Sequence, residues 1–494
     1  MGMENIEHLV VVMFENRSFD NLLGWLYDND KNRPKHNIPA PPDGRPTFEG
    51  LSKNTFSNSL VVPGEDRQDY VSQGTSDWPS CPNRNQVPTP DPHEEFEFVT
   101  EQIFGKRNPG PGDPADMSGF LQNYYSTDAG LDSCGQIMQT YGPDDANVIN
   151  DLARSFAVCD GWFASVPSQT WPNRGFVHSG SSDGHVDNDS YEFYQNRTIF
   201  NVLQDQGIPW KVFSNTYTAW LTYLQFWQHG SLRDHFHRYA AFDDACSAAA
   251  DADPEDKLPA YSFIEPRFLA ELFSWPSDYH PPHNICRGET FLAEVYESVR
   301  KSPYRDKILL IVTFDEHGGC YDHVPPPSGA APPDPHPISR DGKFKFDRFG
   351  VRVPALVISS YVEPGTVFRA PAGLTPYDHT SILATLREWL KLDQGPGGFL
   401  PSPRIKAAPT LDRVLTRGAG QENKDWPEIT AKCLIDGSDE SKDTPLNDLQ
   451  RSILAAAKAQ QAGAHPAEAA SQAKKLVTYE HGAMFLQFDN KAQA

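Results

Sequence analysis

Residues Ile308–Pro327, ILLIVTFDEHGGCYDHVPPP, set the reading of the whole chain. From Ile308 to Phe314 every residue is apolar or β-branched without alternation, the pattern of a strand buried on both faces of a parallel sheet. The run stops abruptly at Asp315-Glu316-His317, and Gly318-Gly319 then supplies a turn. In open α/β sheets ligands bind beyond the carboxyl ends of the strands, so two carboxylates and an imidazole fall where a site is expected. A strand merely capped by solvated polar residues has the same local sequence, and this stretch alone leaves both readings open.

A counterpart opens the chain. Leu9 to Phe14 is again a continuous apolar run, followed by Glu15-Asn16-Arg17-Ser18. Two buried strands would thus carry Glu15, Asn16, Asp315 and Glu316 to one sheet edge. Such a set offers only oxygen ligands, the preference of a hard divalent cation such as Ca²⁺ or Mg²⁺. Like charges gathered without a cation are costly, so one divalent ion is the natural resolution.

The composition narrows the partners. With 494 residues, 38% of them apolar and 12% aromatic, the chain is globular rather than disordered. The 43 prolines outnumber the 35 glycines and gather in stretches that read as long surface loops. A formal charge of −23 argues against nucleic acid and against adsorption to anionic lipid, while leaving room for peripheral contact of an aromatic lip with a neutral bilayer. Seven cysteines include no C-x-x-C pair, so a zinc ribbon or redox motif is unsupported and connectivity stays open. No basic leader with an apolar core opens the sequence, and no apolar run reaches the roughly eighteen residues of a spanning helix. The expectation is a soluble chain, cytoplasmic, exported without a cleaved signal, or a mature form.

Along the chain, Leu22 to about Pro114 is loop-like, with Asp91-Pro92-His93-Glu94-Glu95 leading into a short helix over Phe96–Phe104. Asn147 to Cys159 has helical spacing running into an apolar segment. In SVPSQTWPNR (165–174), Thr170 precedes Pro172 and reads as an N-cap, where free backbone N–H groups can hold an anion. Trp210–Phe213 and Tyr261–Ile264 read as strands. Tyr217–Trp227 is strongly aromatic, either core or a wall for an apolar substrate part. Asp278-Tyr-His-Pro-Pro-His-Asn284 places two imidazoles in a stiff loop before a helix from Gly288 to Lys301. Phe349–Ser359 predicts another buried strand, and Tyr377-Asp-His-Thr-Ser381 caps a helix over Ile382–Leu392. This alternation implies a mainly parallel sheet covered on both faces. Beyond Ile405 the chain turns charged and rich in Ala and Gln, which divides it into a catalytic unit, 1–405, and a mainly helical extension, 406–494.

Six blocks, ENRSFD (15–20), SVPSQTWPNR (165–174), DYHPPHN (278–284), TFDEHGGCYDHVPPP (313–327), FGVRVPALVIS (349–359) and YDHTSIL (377–383), together resemble the phosphoesterase family. That family holds bacterial phospholipases C, acid phosphatases and plant non-specific phospholipases C. The form DEHGG, with DPHEEFEFVTEQIFG (91–105), MSGFLQNY (117–124) and YSFIEPRF (261–268), looks closer to the plant-like enzymes. The resemblance implies an α/β fold like that of alkaline phosphatase, a three-layer sandwich with helices on both faces of a mostly parallel sheet. It makes Glu15, Asn16, Asp315 and Glu316 metal ligands and Thr170 a metal-bound nucleophile passing through a phosphothreonine. It also implies that His93 and His280 contact phosphate or the leaving group, with His317 and His379 in the site. Arg174, one helical turn after Thr170, is expected to orient the helix end or touch substrate, and His323 is left between a flanking and a structural role. The expected substrate is a phospholipid cleaved as by a phospholipase C. Acid phosphatase activity on monoesters, or phospholipase D-type cleavage at the same site, is the alternative.

Overall fold

The computed structural model describes residues 2–27, 32–52, 55–75, 84–188, 194–215, 234–249, 251–270, 274–395, 397–433, 435, 443–462, 466–479 and 482. Its centre is a sheet built from β1 (His8–Phe14), β2 (His36–Ile38), β3 (Ala157–Cys159), β4 (Trp210–Ser214), β5 (Phe236–Arg238), β6 (Tyr261–Ile264), β7 (Ile308–Phe314), β8 (Ala355–Ile358) and β9 (Thr366–Phe368). The order across the sheet is β5-β4-β6-β1-β7-β8-β3-β9-β2. The two apolar runs of the sequence are therefore its adjacent central strands, and all of β7 and all but the first residue of β1 are buried. Unbroken apolarity is what a strand covered on both faces requires.

Register does the functional work. Strands β1 and β7 run parallel with Phe14 opposite Phe314, so Glu15 and Asp315 leave the sheet side by side. On the other side β6 is parallel to β1, with Ile264 opposite Val12, which brings Glu265 to the same edge. The sheet is mixed rather than wholly parallel, because β8 runs antiparallel to both β7 and β3. The strand expected over Phe349–Ser359 is confined to Ala355–Ile358. Pro354 has no N–H for a ladder, and Arg352 turns its buried guanidinium to Asp20 and Asp322 instead.

Helices cover the sheet: α1 (Phe96–Phe104), α2 (Asn147–Ser155), α3 (Thr170–Ser179), α4 (Ala240–Ser247), α5 (Ile285–Lys301), α6 (Thr380–Leu390), α7 (Asp448–Ala462) and α8 (Pro466–Ala473). Helix α5 packs with α2 and α4, whereas α3 packs with α6, giving two separate groups. The residues after 405 do not stand apart as an appendage. Leu446, Leu449, Ile453, Leu454 and Ala457 enter the main hydrophobic core. Trp171 Nε1 donates to Ser452 Oγ at 2.8 Å, and Gln450 Nε2 donates to the Phe268 carbonyl at 2.8 Å. A disulfide between Cys286 and Cys433 ties this region to the start of α5. Its apolar face is thus buried mainly in the main core, beside a small cluster of its own formed by Ala455, Ala470 and Ala473. Among the described residues no helix is long and apolar enough to cross a membrane. The aromatic run Tyr217–Trp227 lies outside the described residues.

Candidate active site

At the carboxyl edge of β1, β6 and β7 a guanidinium gathers three carboxylates. Arg174 donates through Nη2 to Glu15 Oε1, through Nη1 to Glu265 Oε1 at 2.9 Å, and lies 3.6 Å from Asp315 Oδ2. It also donates to the Met13 carbonyl at 3.3 Å. All four side chains are buried. Arg174 is thus engaged mainly by carboxylates, with its Nε left without a hydrogen-bond partner.

Thr170 is the first residue of α3, with Gln169 in extended conformation before it, so the capping position falls one residue earlier than its sequence implied. Its hydroxyl does not cap the helix; it donates to Glu15 Oε2 at 3.0 Å. Asn173 holds the preceding loop, accepting from Val166 N at 3.0 Å and donating to the Val166, Ser168 and Gln169 carbonyls. A hydroxyl on a carboxylate at a helix N-terminus is placed to lose its proton and to meet an anion.

Asn16 adopts φ 56°, a left-handed conformation that Asn tolerates better than most residues. This bend brings its backbone N–H to Asp315 Oδ1 at 3.2 Å and its side chain onto the cluster. Gly318 is needed for the close approach: a Cβ there would meet the Asn16 carbonyl at 2.2 Å. Its N–H donates to Glu316 Oε2 at 2.7 Å. Three oxygens, Asn16 Oδ1, Asp315 Oδ2 and Glu316 Oε1, are buried without any hydrogen-bond partner. Burial pushes the Glu15, Asp315 and Glu316 carboxyls upward, opposed at Glu15 and Asp315 by Arg174. Orphaned acceptors in a cluster that resists ionisation fit a hard cation, so Asn16, Asp315 and Glu316, flanked by Glu15 and Thr170, are the residues that would hold one.

The histidines divide. His280 Nδ1 lies 2.6 Å from the Pro281 carbonyl, and its Nε2 lies 2.9 Å from Asn16 Nδ2. His317 Nε2 meets Gln102 Oε1 at 2.8 Å, with Nδ1 3.3 Å from Glu316 Oε2. Burial lowers His280 well below its ordinary value and lowers His317 to about 3, so both are neutral imidazoles. His379 bonds the Asp315 carbonyl and accepts from Trp162 Nε1 at 3.3 Å. Both of its nitrogens are thus occupied, Nε2 at the end of β7 and Nδ1 by Trp162. His93 stacks on Phe98 with ring centroids 4.0 Å apart, and its Nδ1 lies 3.9 Å from Glu95 Oε2. Its neighbour Glu94 enters instead: Glu94 Oε1 accepts from Asn16 Nδ2 at 2.6 Å. His323 pairs with Asp20 at 2.6 Å, in a separate cluster around Arg352.

Sequence reasoning missed Glu94, Asp91 and Glu265. Glu265 carried the same signal as Asp315, an acid directly after a short apolar strand, in YSFIEPR. Glu94 carried none, because only the backbone path before α1 decides whether His93 or Glu94 faces inward.

With this geometry in hand, comparison with known proteins is informative. Residues 6–393 match the model of the phosphoesterase family. Non-specific phospholipase C3 of Arabidopsis thaliana is 34% identical over 468 residues, covering 92% of this chain and 82% of its own length. Non-specific phospholipase C4 of the same plant is 35% identical over 479 residues, covering 92% and 79%. Phospholipase C B of Mycobacterium tuberculosis is 26% identical over 430 residues, covering 78% and 73%. A crystal structure from the alkaline phosphatase superfamily of Vibrio parahaemolyticus is 14% identical over 55% of this chain and 64% of its own, with a TM-score of 0.29, too loose a superposition to bear on the site. The chain belongs to the phosphoesterase family and is a phosphoric ester hydrolase.

Proposed function

We propose that this member of the phosphoesterase family is a phospholipase C, cleaving glycerophospholipids to diacylglycerol and a phosphorylated head group with Thr170 as nucleophile. The observation that carries the reading is the Thr170 hydroxyl donating to Glu15 Oε2 at 3.0 Å inside a buried carboxylate cluster. The lipid substrate is supported by relatives named non-specific phospholipase C that match over 92% of the chain.

Glu15 Oε2 receives the proton as Thr170 Oγ attacks phosphorus in line with the glycerol oxygen. The Oγ–P bond forms while the bond from phosphorus to glycerol breaks. The departing oxygen takes up the proton that Glu15 received, relayed across the cluster, with the N–H of His280 or His317 as a hydrogen-bond donor to it. Water then hydrolyses the phosphothreonine, releasing the phosphorylated head group and restoring the hydroxyl. Arg174 holds Glu15 and Asp315 in place and opposes the upward push of burial on both carboxyls. A Ca²⁺ or Mg²⁺ held by Asn16, Asp315 and Glu316 with Glu15 and Thr170 would supply neutralisation of phosphate charge. Positioning and electrostatics dominate phosphoryl transfer, which is what such a prearranged cluster offers.

The test is incubation of the purified protein with phosphatidylcholine and, in parallel, with p-nitrophenyl phosphate, products being identified by mass. Diacylglycerol plus phosphocholine is expected. Phosphatidate plus choline would reassign the leaving group to a phospholipase D-type cleavage. Monoester turnover with untouched lipid would make the enzyme a phosphatase.

A further inference from the structure

Tyr279 stands between two residues that reach the site, and its backbone is strained. Its φ is 72°, a left-handed conformation that a bulky side chain adopts only where its surroundings fix it. On one side the Asp278 carbonyl accepts from Glu15 N at 2.9 Å. On the other, His280 Nε2 lies 2.9 Å from Asn16 Nδ2. Asp278 Oδ1 closes the bend by accepting from His280 N at 3.1 Å. The bend at Tyr279 therefore sets how Glu15 and His280 stand to each other.

What fixes Tyr279 lies outside the carboxylate cluster. Its hydroxyl donates to Glu289 Oε1 at 2.6 Å. Glu289, fully buried on α5, also accepts from Val148 N and Ile149 N, two of the amides that the start of α2 leaves free. All three partners are donors, which suits an ionised carboxylate. Burial pushes the Glu289 carboxyl up to about 7 against the pull of Tyr279 and the two amides, with Asp151 of α2 adding to the rise. The Tyr279 ring lies on Gly288, where a Cβ would meet its Cδ2 at 2.3 Å. It stands edge-on to Phe14 and Phe314, with centroids 4.9 and 5.2 Å away. Those two residues end β1 and β7, directly before Glu15 and Asp315. Arg17 Nε donates to the Tyr279 carbonyl at 2.6 Å.

We propose that Glu289 is a positioning residue for phosphoester hydrolysis, acting through Tyr279. The hydroxyl–carboxylate hydrogen bond keeps the strained bend from relaxing, and the bend holds Glu15 against Thr170 and His280 against Asn16. Without that bond the ring keeps its packing, but the backbone is free to return to negative φ and draw the Asp278 carbonyl away from Glu15. Capping α2 needs only the two amides; the third donor, on the strained residue, couples the cap to the site. The inference rests on Glu15 acting with Thr170 and holds whichever phosphoester is cleaved.

The experiment compares Tyr279→Phe, Glu289→Gln and the double variant with wild type. It reads kcat and KM on phosphatidylcholine and on p-nitrophenyl phosphate, the unfolding midpoint by circular dichroism, and amide hydrogen exchange at Glu15 by mass spectrometry. Tyr279→Phe is expected to lose roughly 10–100-fold in kcat with KM within about twofold, the scale of a small displacement of reacting groups. Glu289→Gln meets three donors with a single acceptor oxygen and is expected to lose kcat similarly. The double variant is expected to lose less than the product of the two single losses, because both break one interaction. Exchange at Glu15 is expected to rise about tenfold in Tyr279→Phe while amides within β6 stay as in wild type. Should Glu289→Gln not fold for want of the α2 cap, Tyr279→Phe decides, since it leaves that cap in place. Exchange is read without substrate, so the bend is tested separately from the choice of ester and of nucleophile. A lowered unfolding midpoint with wild-type kcat in Tyr279→Phe, or unchanged exchange at Glu15, overturns the proposal.

Discussion

Two groups in this chain have the same composition, two carboxylates and an imidazole, and opposite fates. In Asp20–Asp322–His323 every carboxylate oxygen is satisfied. Arg352 donates to Asp20 Oδ1 at 2.9 Å and to Asp322 Oδ1 at 3.0 Å. Asp20 Oδ2 accepts from His323 Nδ1 at 2.6 Å, and Asp322 Oδ2 accepts from Asp20 N at 3.1 Å. In Asp91–Glu94–His280 no Arg or Lys forms an ion pair among the described residues, Arg17 and Arg451 acting on Asp91 only at longer range, and one oxygen of Asp91 has no hydrogen-bond partner. The first group carries its own cation in the chain and clamps the segment after β1 to the segment after β7. Composition and proximity do not tell the two groups apart; an ion-paired counter-charge does.

Four measurements can break or sharpen this contrast. The largest effect is expected in the reactive region: Thr170→Ala should lose at least about 10³-fold in kcat, the scale for removing a nucleophile, with the unfolding midpoint little changed. Near-normal turnover would remove Thr170 from its role. In the clamp, Arg352→Met strands two buried carboxylates and should cost roughly 3–5 kcal/mol of unfolding free energy in denaturant titrations. A loss under about 1 kcal/mol would mean the clamp does not hold the fold.

The third measurement is the pH dependence of stability. Burial opposes protonation of His323, but its hydrogen bonds to Asp20 and Glu49 outweigh burial and raise it to about 9 from 6.5. A raised pKa in the folded chain means stability that is fully present below about 6.5 and is lost as pH rises through about 9. The difference is worth about 3 kcal/mol, and His323→Gln should flatten that slope in unfolding measured across the window. The smallest effect sets the two groups directly against each other in chelator-stripped protein. Asp322→Asn should lose about 1.5–3 kcal/mol by weakening charged hydrogen bonds, whereas Asp91→Asn should leave stability unchanged or raise it by up to roughly 1 kcal/mol. Equal losses at both positions would erase the distinction.

Much of the catalytic edge was legible because it follows from strand chemistry. An unbroken apolar run that stops on acids marks a central strand and its functional end, so Glu15, Asn16, Asp315 and Glu316 converge as read. The loop residues were less legible. His93 is as good a candidate by type as His280, yet it stacks on Phe98 while Glu94 turns inward. Nothing in DPHEEFEF fixes that rotation, since it depends on how the loop meets Asn16 and the Gly318-Gly319 turn, where a Cβ on Gly319 would meet the His93 carbonyl at 2.8 Å.

The sequence by itself determined the α/β class, the two central strands and the acids at their ends, because burial on both faces and abrupt polarity are written in consecutive residues. Tertiary structure alone decided what those acids meet. That Arg174 gathers Glu15, Glu265 and Asp315, that Arg352 neutralises one triad, and that Asp91 and Glu94 have no ion-paired Arg or Lys among the described residues are facts of long-range contact. The same holds for the C-terminal helices, whose composition reads as a separate appendage but whose apolar face buries in the main core. Charge compensation and burial are pairwise properties of residues far apart in the chain, so no local pattern encodes them.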